Sequence, residues 1–515
     1  MHLICHRPLL FLLLLHACTT SVAASEYAAA RASAARIDSK PCWFEPEPDW
    51  PRSECGVLVV PENYSEPEGR QLALPFIIFK AHVRNRQTAP LLVAGGGGPG
   101  LSLGIAKTDW ESSEHPLWTS WFSSTVAVGR DLILIDNRGV GTAEPRLDCE
   151  EIEEAAKSLL EKKLQRDELV QLTRASYAAC KQRFEQRDID LSQYHVINAA
   201  EDIEQLRLAL GIDRLNIYGA SYASRVALAY ERLYPDSTRA LILDGVIPQS
   251  IRIFEEAPRR NYEAIMRVIN KCNSDIRCYG QYGNDLDRRL ADYLAQLDAS
   301  PIKISVGLDT DKQPQEVTVT ASMFFSSLYM AIHEPEVIRR IPEYLYNIFA
   351  GSTDDLARLV GEFYVDELPA SLVDEGAYAS YACYEEIPFV DFDIARSELT
   401  KYPFQHYTNA RLFDHMETMC GVWDVPAATA DLKQPYKIET PLLIYAGELD
   451  PVTPPEMARP VIANARRWWG KVWPDNTHEV IHFSECADLT ARIFLAEPER
   501  NPFVHECVHR IRYWH

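Results

Sequence analysis

Apolar residues gather in short unbroken runs along this chain, separated by longer stretches with helical spacing. "PLLVA" (90–94), "DLILID" (131–136), "RLNIYG" (214–219) and "RALILDG" (239–245) are such runs. A strand reads this way when neighbours cover both its faces, as in a parallel sheet. "AEDIEQLRLALGI" (200–212) carries helical spacing and stops at Gly211, as a helix C-terminus does. Upstream, "GVLVVP" (56–61) and "LALPFIIFKAHV" (72–83) flank the turn-rich "ENYSEPEGR" and predict an antiparallel pair. Strands alternating with helices predict an open α/β sheet.

That pattern breaks near Pro248. From there to Glu439 the chain is helical in spacing and rich in aromatics. "TPLLIYAGELD" (440–450) then resumes the buried-strand signature, and "GKVW" (470–473) supplies a last strand. About 190 residues between consecutive sheet strands far exceed an ordinary connection. They predict a large, mostly helical cap inserted into the sheet domain. The expected organisation is a leader over 1–24, a core over 40–248, the cap over 249–439, and the rest of the core over 440–515. A polar, alanine-rich lead runs to about Lys40.

Composition narrows the function class. A hydrophobic fraction of 47% in 515 residues supports a substantial core. The net charge of −22 argues against nucleic acid or an anionic membrane surface as partner. It is compatible with cationic substrates, although a solvated acidic surface explains it more simply. At the N-terminus, Arg7 precedes the apolar run Pro8–Leu15, which is too short to span a bilayer, and small residues follow. This is the form of a cleaved export signal. The expected protein is therefore periplasmic or secreted; Leu15-His16-Ala17-Cys18 also has the form of a lipoprotein cleavage box, and the alternative is a lipid anchor on Cys18. Of the 12 cysteines, Cys5 and Cys18 fall in this leader. The even remainder predicts disulfides, since exported chains fold in an oxidising compartment. Pairing of neighbours is the simplest arrangement, though connectivity stays open. No cysteine pair shows zinc spacing.

The candidate chemistry begins at "NIYGASYASRVALAY" (216–230). Ser221 follows a strand and precedes a helix. Gly219 and Ala223, two residues to either side, are both small, as a strained strand-to-helix turn requires. The usual second residue is glycine, so Ala223 adds one methyl at the tight approach. Ser224 is the alternative nucleophile, but it belongs to the first turns of the helix. A serine nucleophile needs a general base, and the base needs an acid to fix its tautomer. Asp450 directly follows the strand "LLIYAGEL", and His478 lies in the loop "PDNTHEVI" after the next strand. Serine, acid and histidine thus follow in the order expected of this chemistry. Glu448 and His482 are the weaker alternatives for acid and base.

A glycine-rich loop, "LLVAGGGGPG" (91–100), follows another strand. It can bring main-chain N–H groups to a developing oxyanion, with Tyr222 and Gly97 or Gly98 as donors. A phosphate loop is excluded because the required G-K-[ST] is missing. Arg138 in "DNRGVG" reads as a structural brace. No step of this chemistry requires a metal or cofactor.

Together these segments, with "CGVLVVPENY" (55–64), "LILIDNRGVGTAEPRLDC" (132–149) and "CYEEIPF" (383–389), resemble the exported tripeptidyl aminopeptidase branch of the prolyl aminopeptidase family. Those proteins are α/β-hydrolase serine peptidases. The resemblance implies the α/β-hydrolase fold, Ser221, Asp450 and His478 as the triad, and a peptide substrate. It also implies that Glu385 or Glu386 anchors the free ammonium of the peptide. Cap aromatics such as Tyr378, Tyr381 and Phe389 are candidates to line the pocket, with packing the simpler role for most of them. Ala223 and "DNRG" depart from the family's commoner residues without removing a reacting group. An esterase or amide hydrolase for small apolar substrates is the competing function. A non-catalytic binding protein would need a broken triad, which the sequence does not show.

Overall fold

Among the described residues of the computed structural model, nine strands form one mixed sheet, in the order β1-β2-β3-β5-β4-β6-β7-β10-β11. The structure describes residues 35–48, 50–81, 89–105, 121–125, 129–158, 164–307, 315–365, 373–407 and 409–504. The predicted leader, Cys18 and Cys507 lie outside these. The strands are β1 (Arg36–Lys40), β2 (Ser53–Pro61), β3 (Gln71–Phe79), β4 (Leu91–Val93), β5 (Leu132–Ile135), β6 (Leu215–Ala220), β7 (Thr238–Asp244), β10 (Leu442–Gly447) and β11 (Trp468–Trp473). From β1 to β5 the pairings are antiparallel, and from β5 through β11 they are parallel. The helices that matter below are α1 (Arg166–Glu185), α2 (Val196–Ala209), α3 (Ala223–Leu233), α4 (Ala257–Ser274), α5 (Ala321–Ala331), α6 (Glu375–Glu385), α7 (Asn409–Trp423) and α8 (Glu485–Ala496).

The unbroken apolar runs divide by parity. Ile133, Ile217, Leu442 and Ile444 enter the core on one face of the sheet, with Leu206 of α2 and Val226 of α3. Leu132, Tyr218, Leu443 and Tyr445 enter the core on the other, with Phe494 of α8. Side chains alternate along a strand, so a run covered on both sides must be apolar at every position.

β1 lies within the polar lead up to Lys40, where the apolar pattern predicts no strand. It pairs with β2, Arg36 opposite Val59. Its residues are exposed or half-buried, so main-chain hydrogen bonding at a sheet edge holds it and no hydrophobic pattern announces it.

Between β7 and β10 the insertion is mostly helical, with one hairpin, β8 (Ile302–Val306) and β9 (Gln315–Val319). It has two parts. Residues of α4, the hairpin and α5, among them Ile265, Val317 and Phe324, form a separate core. By contrast, α6 and α7 join the helical layer on the sheet. Tyr381, Met419 and Trp423 belong to the main core, and Trp423 meets Tyr177 of α1 edge-on at 6.1 Å. Disulfide Cys383–Cys420 ties α6 to α7. The other described pairs, Cys42–Cys55, Cys149–Cys180 and Cys272–Cys278, also join sequence neighbours. Among the described residues no helix is long and apolar enough to cross a membrane.

Candidate active site

Ser221 stands where β6 turns into α3, with φ at 50°. A non-glycine residue in the left-handed region is strained, and here the strain presents the side chain at the tip of the strand. The Ser221 N–H donates to the Asp244 carbonyl at 2.9 Å. A Cβ on Gly219 would lie 2.5 Å from the Ala223 carbonyl oxygen, so strand and helix touch at that glycine. Two residues beyond the serine, Ala223 is 1% exposed, so the turn accommodates its methyl in a buried position. Ser224 is committed elsewhere. It donates to the Ser221 carbonyl and accepts from Ile247 N–H at 2.9 Å.

Asp450 and His478 meet at the same edge of the sheet. His478 Nδ1 lies 2.9 Å from Asp450 Oδ2. Thr453 Oγ1 donates to that oxygen at 2.6 Å, while Val452 and Thr453 N–H donate to Oδ1, both at 2.8 Å. Burial by itself would favour a neutral Asp450. The charge of His478 and these hydrogen bonds override it and hold the carboxyl below its usual range. Burial likewise opposes a charged His478, but Asp450 raises its pKa. With Nδ1–H on the carboxylate, Nε2 is the nitrogen left to exchange a proton. The inserted helices brace this pair. Arg267 of α4 donates to the Asp450 carbonyl at 2.8 Å, Tyr329 of α5 to the Pro451 carbonyl at 3.1 Å, and Thr477 to the Ile332 carbonyl at 2.9 Å.

The sequence alternatives have other partners. Glu448 pairs with Lys271 at 2.7 Å and accepts from Asp475 N–H. His482 lies edge-on to Trp121 and Tyr218. Arg138 is fully buried and bidentate on Asp202, at 2.6 and 2.8 Å, a brace within the core.

Sequence reasoning missed Asp244. Its carbonyl holds Ser221, and its carboxylate accepts from Val480 and Ile481 N–H at 3.0 and 2.9 Å. One side chain thus ties the serine turn to the histidine loop. Burial pushes its pKa up to about 7. A charged residue ending an apolar strand, in "LILDG", was the available signal.

Gly97 adjoins the serine: a Cβ there would lie 3.4 Å from Ser221 Cβ. Gly98, Ser221 and Tyr222 line a common cavity of about 220 Å³ with Tyr378, Glu385 and Glu386. The N–H groups of Tyr222, Gly97 and Gly98 donate to no acceptor among the described residues. Tyr381 packs edge-on to Tyr222 instead of bordering the cavity, and Phe389 lines a separate open groove.

The two glutamates differ. Glu386 meets Arg225, Lys433 at 2.8 Å and Ile253 N–H at 3.0 Å. Burial works against its charge, yet the two cations lower its pKa. Glu385 accepts from Tyr222 OH at 2.5 Å and from Val196 N–H at 3.1 Å. Burial pushes its pKa up to about 7, in spite of Arg225 and those hydrogen bonds. So Glu386 is neutralised within the protein, and Glu385 is a carboxyl without a direct cation.

Known proteins resemble this chain. The family model for the alpha/beta hydrolase fold matches residues 91–269, and that for a TAP-like protein matches residues 405–507. The tripeptidyl aminopeptidase of Streptomyces coelicolor is 27% identical over 470 residues, covering 84% of this chain and 78% of that one. The serine protease Hip1 of Mycobacterium tuberculosis is 25% identical over 433 residues, covering 78% and 76%. A crystal structure of proline iminopeptidase from Mycobacterium smegmatis aligns at a TM-score of 0.39 with 12% identity, over 86% of this chain and 98% of that one. Each family model reaches into one end of the insertion, and the relatives run through it; the chain has the α/β-hydrolase fold, is similar to the tripeptidyl aminopeptidase branch, and is a serine hydrolase of the peptidase kind.

Proposed function

We propose that the protein is an exported aminopeptidase that releases short fragments or single residues from the free N-terminus of peptides through an acyl-enzyme. In this reading His478 Nε2 takes the proton of Ser221 as Oγ attacks the scissile carbonyl. The N–H groups of Tyr222 and of Gly97 or Gly98 receive the oxyanion. His478 then protonates the leaving amine, and a water activated by the same imidazole releases the acyl fragment. Asp450 stabilises the imidazolium without taking its proton.

The observation that carries the aminopeptidase reading is the cavity joining Ser221 to Glu385. A peptide whose acyl part fills it places its α-ammonium at the buried end, against a carboxyl that no cation covers. A charge-assisted hydrogen bond there is strong because water is excluded. Glu386, already saturated by Arg225 and Lys433, would position Glu385's surroundings and not bind the amine. The paired cysteines support export, since such a set is at home in an oxidising compartment.

Turnover of chromogenic peptides with free or acetylated N-termini, by wild type and Ser221→Ala, tests this reading. The expected result is cleavage of free amines alone, with kcat reduced by at least about 10³-fold in the variant. Equal turnover of acetylated peptides or simple esters would replace it with a broader serine esterase or amide hydrolase. Full activity of Ser221→Ala would remove the nucleophile itself.

A further inference from the structure

Glu479 follows His478 directly and adopts φ 60°, ψ 68°. This left-handed conformation is uncommon for a residue with a long side chain, and where it persists the surroundings impose it. It brings the carboxylate beside the glycine-rich loop. Glu479 Oε1 lies 3.5 Å from the point where a Cβ on Gly97 would stand, and Ser221 Oγ lies 3.8 Å from the same point. Carboxylate and hydroxyl therefore both border the same glycine.

The charge is not cancelled. Glu479's ion-pair partner among the described residues is His482, at 3.6 Å. Burial lowers the pKa of His482, which leaves that imidazole neutral. The Glu479 side chain is 25% exposed, so an incoming group can reach it. It also lies outside the cavity that holds the acyl part: Gly98, Ser221, Tyr222, Glu385 and Glu386 line that space, and Glu479 and Gly97 do not. With the scissile bond over Ser221, Gly97 and Glu479 adjoin the reacting serine from outside that cavity, where the fragment beyond the bond has room to lie.

We propose that Glu479 forms a leaving-side subsite that selects a basic side chain, lysine or arginine, on the first residue after the scissile bond. The inference rests on Ser221 being the nucleophile. One partly desolvated ion pair formed in the transition state gives a preference on the order of ten-fold over a neutral residue. A basic residue is attracted and an acidic one repelled, and the contrast shrinks as salt screens the pair.

The test uses internally quenched peptides with a common free N-terminal part and Lys, Arg, Leu or Glu directly after the cleaved bond. They are assayed with wild type, Glu479→Gln and Glu479→Gly. Gln keeps the shape and removes the charge, while Gly removes the side chain and relieves the left-handed backbone, so loss of fold cannot imitate the result. Expected are a Lys-to-Leu ratio of kcat/KM of about ten and a still larger Lys-to-Glu ratio in wild type, both falling toward one in the two variants. A wild type without basic preference, or a preference that survives in Glu479→Gln, overturns the proposal. Fluorophosphonate labelling run in parallel separates the two layers. If Ser221 is labelled and the ratios are flat, Glu479 alone is misassigned; if Ser221 is not labelled, both readings fall.

Discussion

Changing Glu385 to Gln should separate recognition of the amine from the chemistry. Glu385 accepts from Tyr222 OH at 2.5 Å and from Val196 N–H at 3.1 Å. Gln retains one acceptor oxygen for Val196, and the tyrosine hydroxyl can rotate to accept from the new amide. The local hydrogen bonding therefore survives with a loss of about 1 kcal/mol. What disappears is the charge. A buried ammonium deprived of its carboxylate loses about 2 to 4 kcal/mol, or about 30- to 900-fold in kcat/KM. Peptides with acetylated N-termini never formed that pair and should change little, so the ratio of free to acetylated substrate should collapse toward one. Glu385 also makes stability pH-dependent. Its folded pKa of about 7 lies above the ordinary 4.5, so the folded state holds the proton more tightly than the unfolded chain. Stability from this group is present below pH 4.5 and is lost as pH rises through 7, by about 3 kcal/mol. Glu385→Gln removes that loss, and the variant should be at least as stable as wild type at pH 8 while binding free amines worse. In wild type, KM for a free-amine peptide should fall as pH rises through about 7, because only the ionised carboxyl attracts the ammonium, and the variant should lack this limb. Steady-state kinetics on paired substrates between pH 5 and 8 and chemical denaturation read both effects. A free-to-acetylated ratio within about three-fold of wild type in Glu385→Gln would refute the anchoring argument.

Other perturbations probe the surrounding parts. Asp450→Asn should lower kcat by about 10⁴-fold with little change in KM, because the histidine loses the partner that fixes its tautomer and stabilises its charge. The raised pKa of His478 places the acidic limb of kcat/KM above 6.5, the ordinary histidine value, and a limb below that in a pH profile would contradict it. Glu386→Gln leaves Arg225 and Lys433 buried without their carboxylate, and should cost about 3 to 5 kcal/mol in urea denaturation. Ala223→Gly should change kcat by less than about three-fold and lower stability by about 0.5 to 1 kcal/mol, since the methyl is packed and lies in a helix. Replacing Cys383 and Cys420 by Ser opens a loop with a sequence separation of 37 and should cost about 4 kcal/mol. Because that disulfide holds the helix ending in Glu385, KM for free-amine peptides should rise as well.

How much was legible depended on whether a feature is written in neighbouring residues. The serine turn was, since Gly219, Ser221 and Ala223 lie within five positions and one geometric demand links them. The order of Ser221, Asp450 and His478 was also readable, because each follows a recognisable strand. Glu385 and Glu386 were located but not distinguished. They are adjacent in sequence, and what separates them is supplied by Arg225, Lys433, Tyr222 and Val196 from distant parts of the chain. The division of the insertion was not readable either. An apolar stripe on α7 looks alike whether it packs on the sheet layer or on a separate cap core, and Trp423 against Tyr177 shows which.

The sequence by itself determined the strand runs, the turn at Ser221 and the order of Ser221, Asp450 and His478, because periodicity, small residues and turns are local constraints on the backbone. Tertiary structure decided the charge state and availability of each group: Asp244 as a link, Glu386 as a neutralised base for two cations, Glu385 as a carboxyl near pH 7, and Glu479 beside the serine. Electrostatic energy depends on burial and on distance in space, and neither is encoded by distance along the chain.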